Sequence, residues 1–167
     1  MPAANDTLYR LTTRWRFAAP PDRVWAAIAD AEHWPLWWPG IEVVTLEPGD
    51  AQGLGALRRY RCRAALPLRL CFTARVTRIV AQELIEGRAC GDLIGLGRCR
   101  LSHDQGQTRV CFDWRVRTTG AWLNRLAPLT QPLLRWNHDR LMRAGGLGLQ
   151  RYLARVAAGN VHKNESA

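Results

Sequence analysis

Between Leu8 and Phe17 the side chains alternate with a period of two: Tyr9, Leu11, Thr13, Trp15 and Phe17 fall on one side, Arg10, Thr12, Arg14 and Arg16 on the other. That alternation suits an extended strand with one buried and one wet face. Stretches of the same kind run from Ile41 to Thr119, broken at Pro48-Gly49-Asp50, at Pro67, near Gln82, at Gly91-Asp92 and at Gln105-Gly106. Six further strands, joined as hairpins, fit there. A slip of one residue would send every side chain to the wrong face, so the apolar residues set the pairing. Leu101 opposite Val110, Cys99 opposite Phe112 and Gly97 opposite Trp114 keep one face apolar. Ala64 opposite Leu68, Cys62 opposite Leu70 and Tyr60 opposite Phe72 do the same. The outward set then contains Arg59, Arg61, Arg63, Arg69, Arg75, Arg115 and Arg117.

A different period closes the chain. From Gln131 onward Leu134, His138, Leu141, Gly145, Leu149, Tyr152 and Val156 recur at helical spacing, with Arg135, Asp139, Arg143, Gln150, Arg151 and Arg155 elsewhere. This predicts a long amphipathic helix with Pro132 near its first turn. After the first strand, Pro20-Pro21-Asp22 opens a short helix carrying Val24, Trp25 and Ile28. A second short turn runs from Ala31 to Trp37, and Trp38-Pro39-Gly40 ends it. An antiparallel sheet has one apolar face to bury, and the final helix is the element long enough to cover it. The expected fold is therefore α+β, a curved seven-stranded antiparallel sheet around a C-terminal helix. It forms one domain over residues 7–158, with residues 1–6 and 159–167 as loose ends.

Composition narrows the function. The longest apolar run falls short of the ~20 residues that span a bilayer. The opening Met1-Pro2-Ala3-Ala4-Asn5-Asp6 lacks the basic head and apolar stretch of a secretory signal, which predicts a cytoplasmic location. A net charge of +10 raises nucleic acid or an anionic membrane as partners. Nearly all of that charge is arginine spread along the strands, and Lys163 is the only lysine. The pattern reads as a solvated sheet face, and no nucleic-acid recognition module accompanies it. The five cysteines, Cys62, Cys71, Cys90, Cys99 and Cys111, form no C-x-x-C pair and are odd in number. They read as small buried or half-buried apolar residues, not as a disulfide framework or a metal site. H-E-x-x-H, G-x-S-x-G and P-loop motifs are absent, and Gly91, Gly95 and Gly97 lie between strands, unlike a phosphate loop. No metal and no cofactor is expected.

Four stretches carry a family likeness. They are Ala18-Ala19-Pro20-Pro21-Asp22-Arg23-Val24-Trp25 leading to Trp34-Pro35-Leu36-Trp37-Trp38-Pro39-Gly40; Gly91-Asp92-Leu93-Ile94-Gly95-Leu96-Gly97; Thr108-Arg109-Val110-Cys111-Phe112-Asp113-Trp114; and Trp136-Asn137-His138-Asp139 with Gly145 to Leu149. In this order the chain resembles the START-like, or SRPBCC, superfamily of helix-grip proteins, in particular its bacterial group labelled polyketide cyclase/dehydrase and lipid transport. The resemblance implies a sheet gripping the last helix around a deep cavity for lipids, polyketides, hormones or other apolar molecules. The label itself establishes no reaction.

His138, on the apolar helix face, is the most informative residue. A neutral imidazole there is a general base or a hydrogen-bonding partner for a ligand carbonyl, or else a core histidine satisfied by backbone or a tyrosine. Tyr60 and Arg58 share an inward parity on the third strand, as Tyr9 does on the first. A phenol and a guanidinium facing an apolar hollow would anchor a carboxylate or an enolate. The plainer readings are a ring packed with its hydroxyl at the rim and a strand-end charge reaching water. Trp15, Trp38, Phe72 and Trp114 complete the expected ligand-binding set.

Trp34, Trp37 and Trp38 either roof the cavity mouth or pin the second short helix to the sheet. Glu86 and Arg88 share a parity and would pair, inside or on the surface. Residues 121–129 read as an apolar lid or a weak membrane-touching loop. Gly145, Gly146 and Gly148 each cost about 1 kcal/mol against alanine in a helix. Close approach to a strand, or room for a ligand, would compensate.

The leading expectation is a carrier or sensor for a lipid, polyketide or aromatic metabolite. An alternative is a cyclase or dehydratase in which His138 removes a proton next to a carbonyl while Arg58 or Tyr60 stabilises the enolate. A second alternative is a basic module docking on RNA, the ribosome or an anionic membrane.

Overall fold

The computed structural model describes residues 8–65, 69–120 and 127–164, without the side chains of 127–130 and 160–164. The strands are β1 (Leu8–Phe17), β2 (Ile41–Glu47), β3 (Leu57–Arg63), β4 (Arg69–Val80), β5 (Leu84–Gly91), β6 (Leu93–Asp104) and β7 (Gln107–Thr118). Helix α1 (Pro21–Ala29) and a 3₁₀ turn (Ala31–Leu36) separate β1 from β2, and helix α2 (Ala127–Asn164) closes the chain. The strands form one seven-stranded sheet in the order β1-β7-β6-β5-β4-β3-β2, each neighbouring pair antiparallel. This is the helix-grip fold.

The hairpin registers are those the apolar faces require. Leu101 faces Val110, Cys99 faces Phe112 and Gly97 faces Trp114. Cys62 faces Leu70 and Tyr60 faces Phe72. The pairing of Ala64 with Leu68 lies outside the described residues, as does most of the 121–129 stretch. Trp114 lies flat across Gly97, where a Cβ would stand 2.8 Å from the indole, so glycine there makes room for the ring. Irregularities between Thr45 and Glu47 and between Val76 and Arg78 bend the strands at the far side of the sheet.

On the outer face the arginines meet the few carboxylates in cross-strand pairs: Arg61–Glu42, Arg75–Glu47, Arg98–Glu86, Arg100–Asp113 and Arg109–Asp104. The expected pairing of Glu86 with Arg88 is corrected here. Two residues apart on one strand, those side chains stand farther from each other than from the strand alongside. Glu86 is opposite Arg98 in the register and pairs with it, and Arg88 is exposed. Cys71 and Cys90, expected to be at least half-buried, are exposed on the same outer face.

Helix α2 continues to Asn164, past the expected end of the domain at residue 158. Its inward stripe also differs: Asn137, Met142, Leu149 and Leu153 are buried, while Val156 is 37% exposed. Over so long a helix the 3.6-residue repeat rotates a stripe drawn at fixed steps off the sheet.

The glycines within the stripe mark the closest contact. A Cβ at Gly148 would lie 1.6 Å from the Trp37 carbonyl oxygen, one at Gly145 2.4 Å from the Trp38 indole, and one at Gly146 2.9 Å from Trp15 Nε1. Trp38 Nε1 donates to the Leu141 carbonyl oxygen at 2.9 Å, and Trp34 Nε1 to that of Ile28 at 3.0 Å. Trp37 and Trp38 stack with centroids 5.3 Å apart. The glycines therefore admit tryptophans and backbone. The three tryptophans pin the 3₁₀ turn to the helix and sheet.

Gly148→Ala should lower the stability measured by urea unfolding by about 2–3 kcal/mol despite alanine's better helix propensity, because the added methyl meets backbone. Gly159→Ala, where nothing lies within 4 Å of the new Cβ, should be neutral or stabilising by up to about 1 kcal/mol. Equal effects at the two positions would contradict the packing described.

Candidate functional site

Beyond the glycine contact, toward the N-terminal half of α2, large side chains on both sides keep helix and sheet apart. They enclose a cavity of about 200 Å³ roofed by Leu134, Asn137, His138, Leu141 and Met142. Its walls come from alternate residues of the strands, as the period of two dictates. One wall is a run of rings. Trp34 lies 5.7 Å from Tyr60, Tyr60 stacks on Phe72 at 5.4 Å, and Phe72 meets Trp114 edge-on at 5.9 Å.

A few polar groups interrupt this surface. Tyr9 is buried at the β1 edge with its hydroxyl beside Thr118 but without a hydrogen bond of normal geometry. Burial raises its pKa, and the nearby positive charge of Arg135 opposes the rise. His138 has a side chain 17% exposed, with Nδ1 facing Asp139 Oδ1 at 3.3 Å. Nε2 is buried with no hydrogen-bond partner among the described residues. Burial pulls the imidazole below its ordinary pKa, and the Asp139 carboxylate only partly restores it. The ring is neutral at pH 7, and with the proton on Nδ1 toward Asp139 the Nε2 lone pair is an acceptor in the cavity roof.

Of the residues expected to bind a ligand, Tyr9, Trp38, Tyr60, Phe72, Trp114 and His138 line the cavity. Trp15 and Arg58 do not, which corrects their expected placement. Trp15 is buried in the core, edge-on to Phe17, Trp38 and Phe112 and against Gly146. Inward parity was right for it, but α2 sits directly on it. Arg58 lies beside the Tyr60 phenol, whose pKa burial raises and the Arg58 charge lowers. The guanidinium extends toward the turn between β2 and β3, with Nη2 3.7 Å from the Cβ position of Gly53. A long stem at the side of the sheet lets the charge leave the apolar hollow.

Asn137, buried in the roof, was missed by a search for apolar periodicity, although it stands four residues before Leu141 on the same face. The buried thiols behave as apolar groups: burial pushes Cys62 up to about 12 and Cys99 further still. Among the described residues no group of His, Cys, Asp and Glu is arranged to hold a metal ion, and no helix is long and apolar enough to cross a membrane.

A sheet gripping a helix over an apolar, aromatic-walled cavity defines the helix-grip class, and sequence comparison gives the family. Residues 9–156 match the family described as polyketide cyclase / dehydrase and lipid transport, and the chain belongs to that family. A search of curated proteins finds no match. Solved structures with the same fold include the Zhui aromatase/cyclase of Streptomyces sp. R1128, 19% identical over 89% of this chain and 95% of that one, TM-score 0.70. A START superfamily protein of Mycobacterium smegmatis is 14% identical over 88% and 98%, TM-score 0.70. The major latex-like protein 151 of Panax ginseng is 8% identical over 87% and 97%, TM-score 0.67.

The His138 environment has a pH signature. In the unfolded chain the group titrates near 6.5, and in the native state below that value. Between the two pKa values the unfolded state binds more protons, so native stability falls as the pH drops from about 6.5 through the lowered native pKa. Unfolding free energies of wild type and His138→Gln, compared from pH 8 to 5, should show a smaller decline for the variant. Identical pH profiles would mean that His138 is not desolvated in the native state.

Proposed function

We propose that this chain is a cytoplasmic carrier or sensor holding one small, uncharged, largely planar apolar molecule, with an oxygen of that molecule directed at the corner formed by Tyr9, Asn137 and His138. The observation that carries this reading is the coincidence of an unbroken aromatic wall with two buried polar atoms, Tyr9 Oη, which has only Thr118 beside it, and His138 Nε2, that lack a hydrogen bond of normal geometry among the described residues. Unpaired buried polar groups are costly, and a ligand hydroxyl or carbonyl would satisfy them.

Size refines the ligand class. A cavity of about 200 Å³ is smaller than the ~300–1,000 Å³ typical of sites for drug-sized molecules. This favours a compact aromatic metabolite over a full-length acyl lipid or an extended polyketide. Charge refines it too, because Arg58 lies off the cavity and the Arg98 side chain pairs with Glu86 on the outer face. Arg58 Nε is buried beside the Tyr60 phenol but does not line the cavity, so a carboxylate ligand would meet no unpaired guanidinium in the cavity wall.

A second reading, a cyclase or dehydratase, is favoured by the same neutral imidazole. His138 Nε2 would take a proton from carbon next to a carbonyl, and the Tyr9 or Tyr60 phenol would stabilise the enolate oxygen. That one structural neighbour is named an aromatase/cyclase is in keeping with this reading.

Calorimetric titration with fused-ring phenols such as a naphthol and with palmitate separates the ligand classes: the phenol should bind and the fatty acid should not. Ala74→Phe, which fills the cavity from β4, should abolish binding while preserving the fold. Tight binding of palmitate with no binding of any ring compound would overturn the proposal. Between carrier and enzyme, His138→Gln decides. A carrier loses about one hydrogen bond, ~0.5–1.5 kcal/mol of affinity, whereas an enzyme loses turnover by about 10²- to 10⁴-fold with binding nearly intact.

A further inference from the structure

We propose that the cavity selects a ligand that donates a hydrogen bond, a phenol or another neutral hydroxyl, over the ketone, aldehyde or ether of the same skeleton, and that Asp139 imposes this choice by fixing the tautomer of His138. The inference rests on the reading of the cavity as a site for a compact uncharged aromatic molecule, and narrows it. It holds for a carrier and for an enzyme alike.

The two nitrogens of His138 meet different surroundings. Nε2 is buried in the cavity roof, and Nδ1 lies 3.3 Å from Asp139 Oδ1. Asp139 has a side chain 70% exposed and takes no part in the cavity lining. A carboxylate accepts hydrogen bonds and donates none, whereas a neutral imidazole carries one donor and one acceptor nitrogen. The contact is therefore favourable with the proton on Nδ1. That leaves Nε2 as a bare lone pair.

The other tautomer is penalised twice. It would set the Nδ1 lone pair against a carboxylate, and it would put an N–H on Nε2, which has no hydrogen-bond partner among the described residues. The second charged group acting on the ring, Arg135 of the same helix, is a donor only and offers that N–H no acceptor.

A lone pair in an apolar roof discriminates by the polarity of the group that meets it. A hydroxyl donates to it. A carbonyl or ether oxygen opposes lone pair to lone pair and leaves Nε2 unsatisfied, a loss of about tenfold or more in affinity. The Tyr9 hydroxyl, which also lines the cavity and has Thr118 beside it, both donates and accepts. It serves a hydroxyl and a carbonyl oxygen equally, so the choice falls on His138. Asp139 touches no ligand and acts as a positioning residue.

Two measurements on the full chain at pH 8 test this. In the ligand-free protein, imidazole nitrogen NMR, with His138 assigned by its loss in His138→Gln, should show Nδ1 protonated and Nε2 bare. In Asp139→Ala the proton should be shared between both nitrogens. In calorimetric titrations a naphthol should bind at least about tenfold more tightly than its methyl ether or the corresponding naphthaldehyde. His138→Leu, checked for fold by circular dichroism, should bring the three compounds within about threefold of one another. Asp139→Ala leaves the cavity lining untouched and should also narrow the preference.

A proton on Nε2 in the free protein would overturn the inference. So would an ether or aldehyde that binds as tightly as the naphthol, or a preference that persists undiminished in His138→Leu and therefore comes from shape. An Asp139→Ala chain that keeps both the wild-type tautomer and the full preference would overturn the role of Asp139. Failure of all three compounds to bind a chain with the proton on Nδ1 would instead overturn the underlying reading of the cavity, and this inference with it.

Discussion

The architecture depends on how closely α2 can approach the tryptophans after α1. Gly145, Gly146 and Gly148 leave a notch with no side chains, and Trp38, Trp15 and the Trp37 backbone fill it. The Trp38 indole N–H then fixes the helix lengthwise through the Leu141 carbonyl oxygen. Because the C-terminal half of the helix is held so tightly, its N-terminal half is left to span the bulkier part of the sheet. There Leu134, His138 and Leu141 face Tyr60, Phe72 and Trp114. Side chains of that size hold the two layers apart, and the cavity follows from the change between small and large residues along one helix face.

Charge is sorted as sharply as size. The outer sheet face carries arginines in excess of the carboxylates available to pair with them, and the ion pairs it does form are largely exposed. Such pairs add little to stability. The interior is nearly free of charge: burial holds the imidazole of His138 below its ordinary pKa and raises the pKa of the Tyr9 and Tyr60 phenols. An uncharged occupant suits that interior, since a buried ion without a partner is expensive.

Much of this was legible in the sequence because two periods, one of two and one near 3.6, assign each apolar residue to a face. The five observed pairs, Tyr60–Phe72, Cys62–Leu70, Gly97–Trp114, Cys99–Phe112 and Leu101–Val110, needed no more than that. Parity does not say how far a side chain reaches or what lies above it. Trp15 and Trp114 have the same inward parity, yet one is under the glycine notch and the other in the cavity wall. Arg58 faces inward at its Cβ and carries its charge out along the sheet. Glu86 chose Arg98 because the neighbouring strand is nearer than the next outward residue on its own. Asn137 was passed over because a polar residue in an apolar stripe breaks the pattern that reveals the stripe. The length of α2 beyond residue 158 had no periodic signal, since the side chains there are small or polar.

The central claim is that the interior between α2 and the aromatic wall is a binding site for a compact neutral molecule. Native mass spectrometry of the chain isolated from the cells that make it tests this most directly. The predicted spectrum contains a one-to-one complex with a small aromatic compound that carries a hydroxyl or carbonyl oxygen and is released on unfolding. A chain that carries a phospholipid or a long-chain fatty acid instead, or that arrives with nothing bound, would contradict the claim.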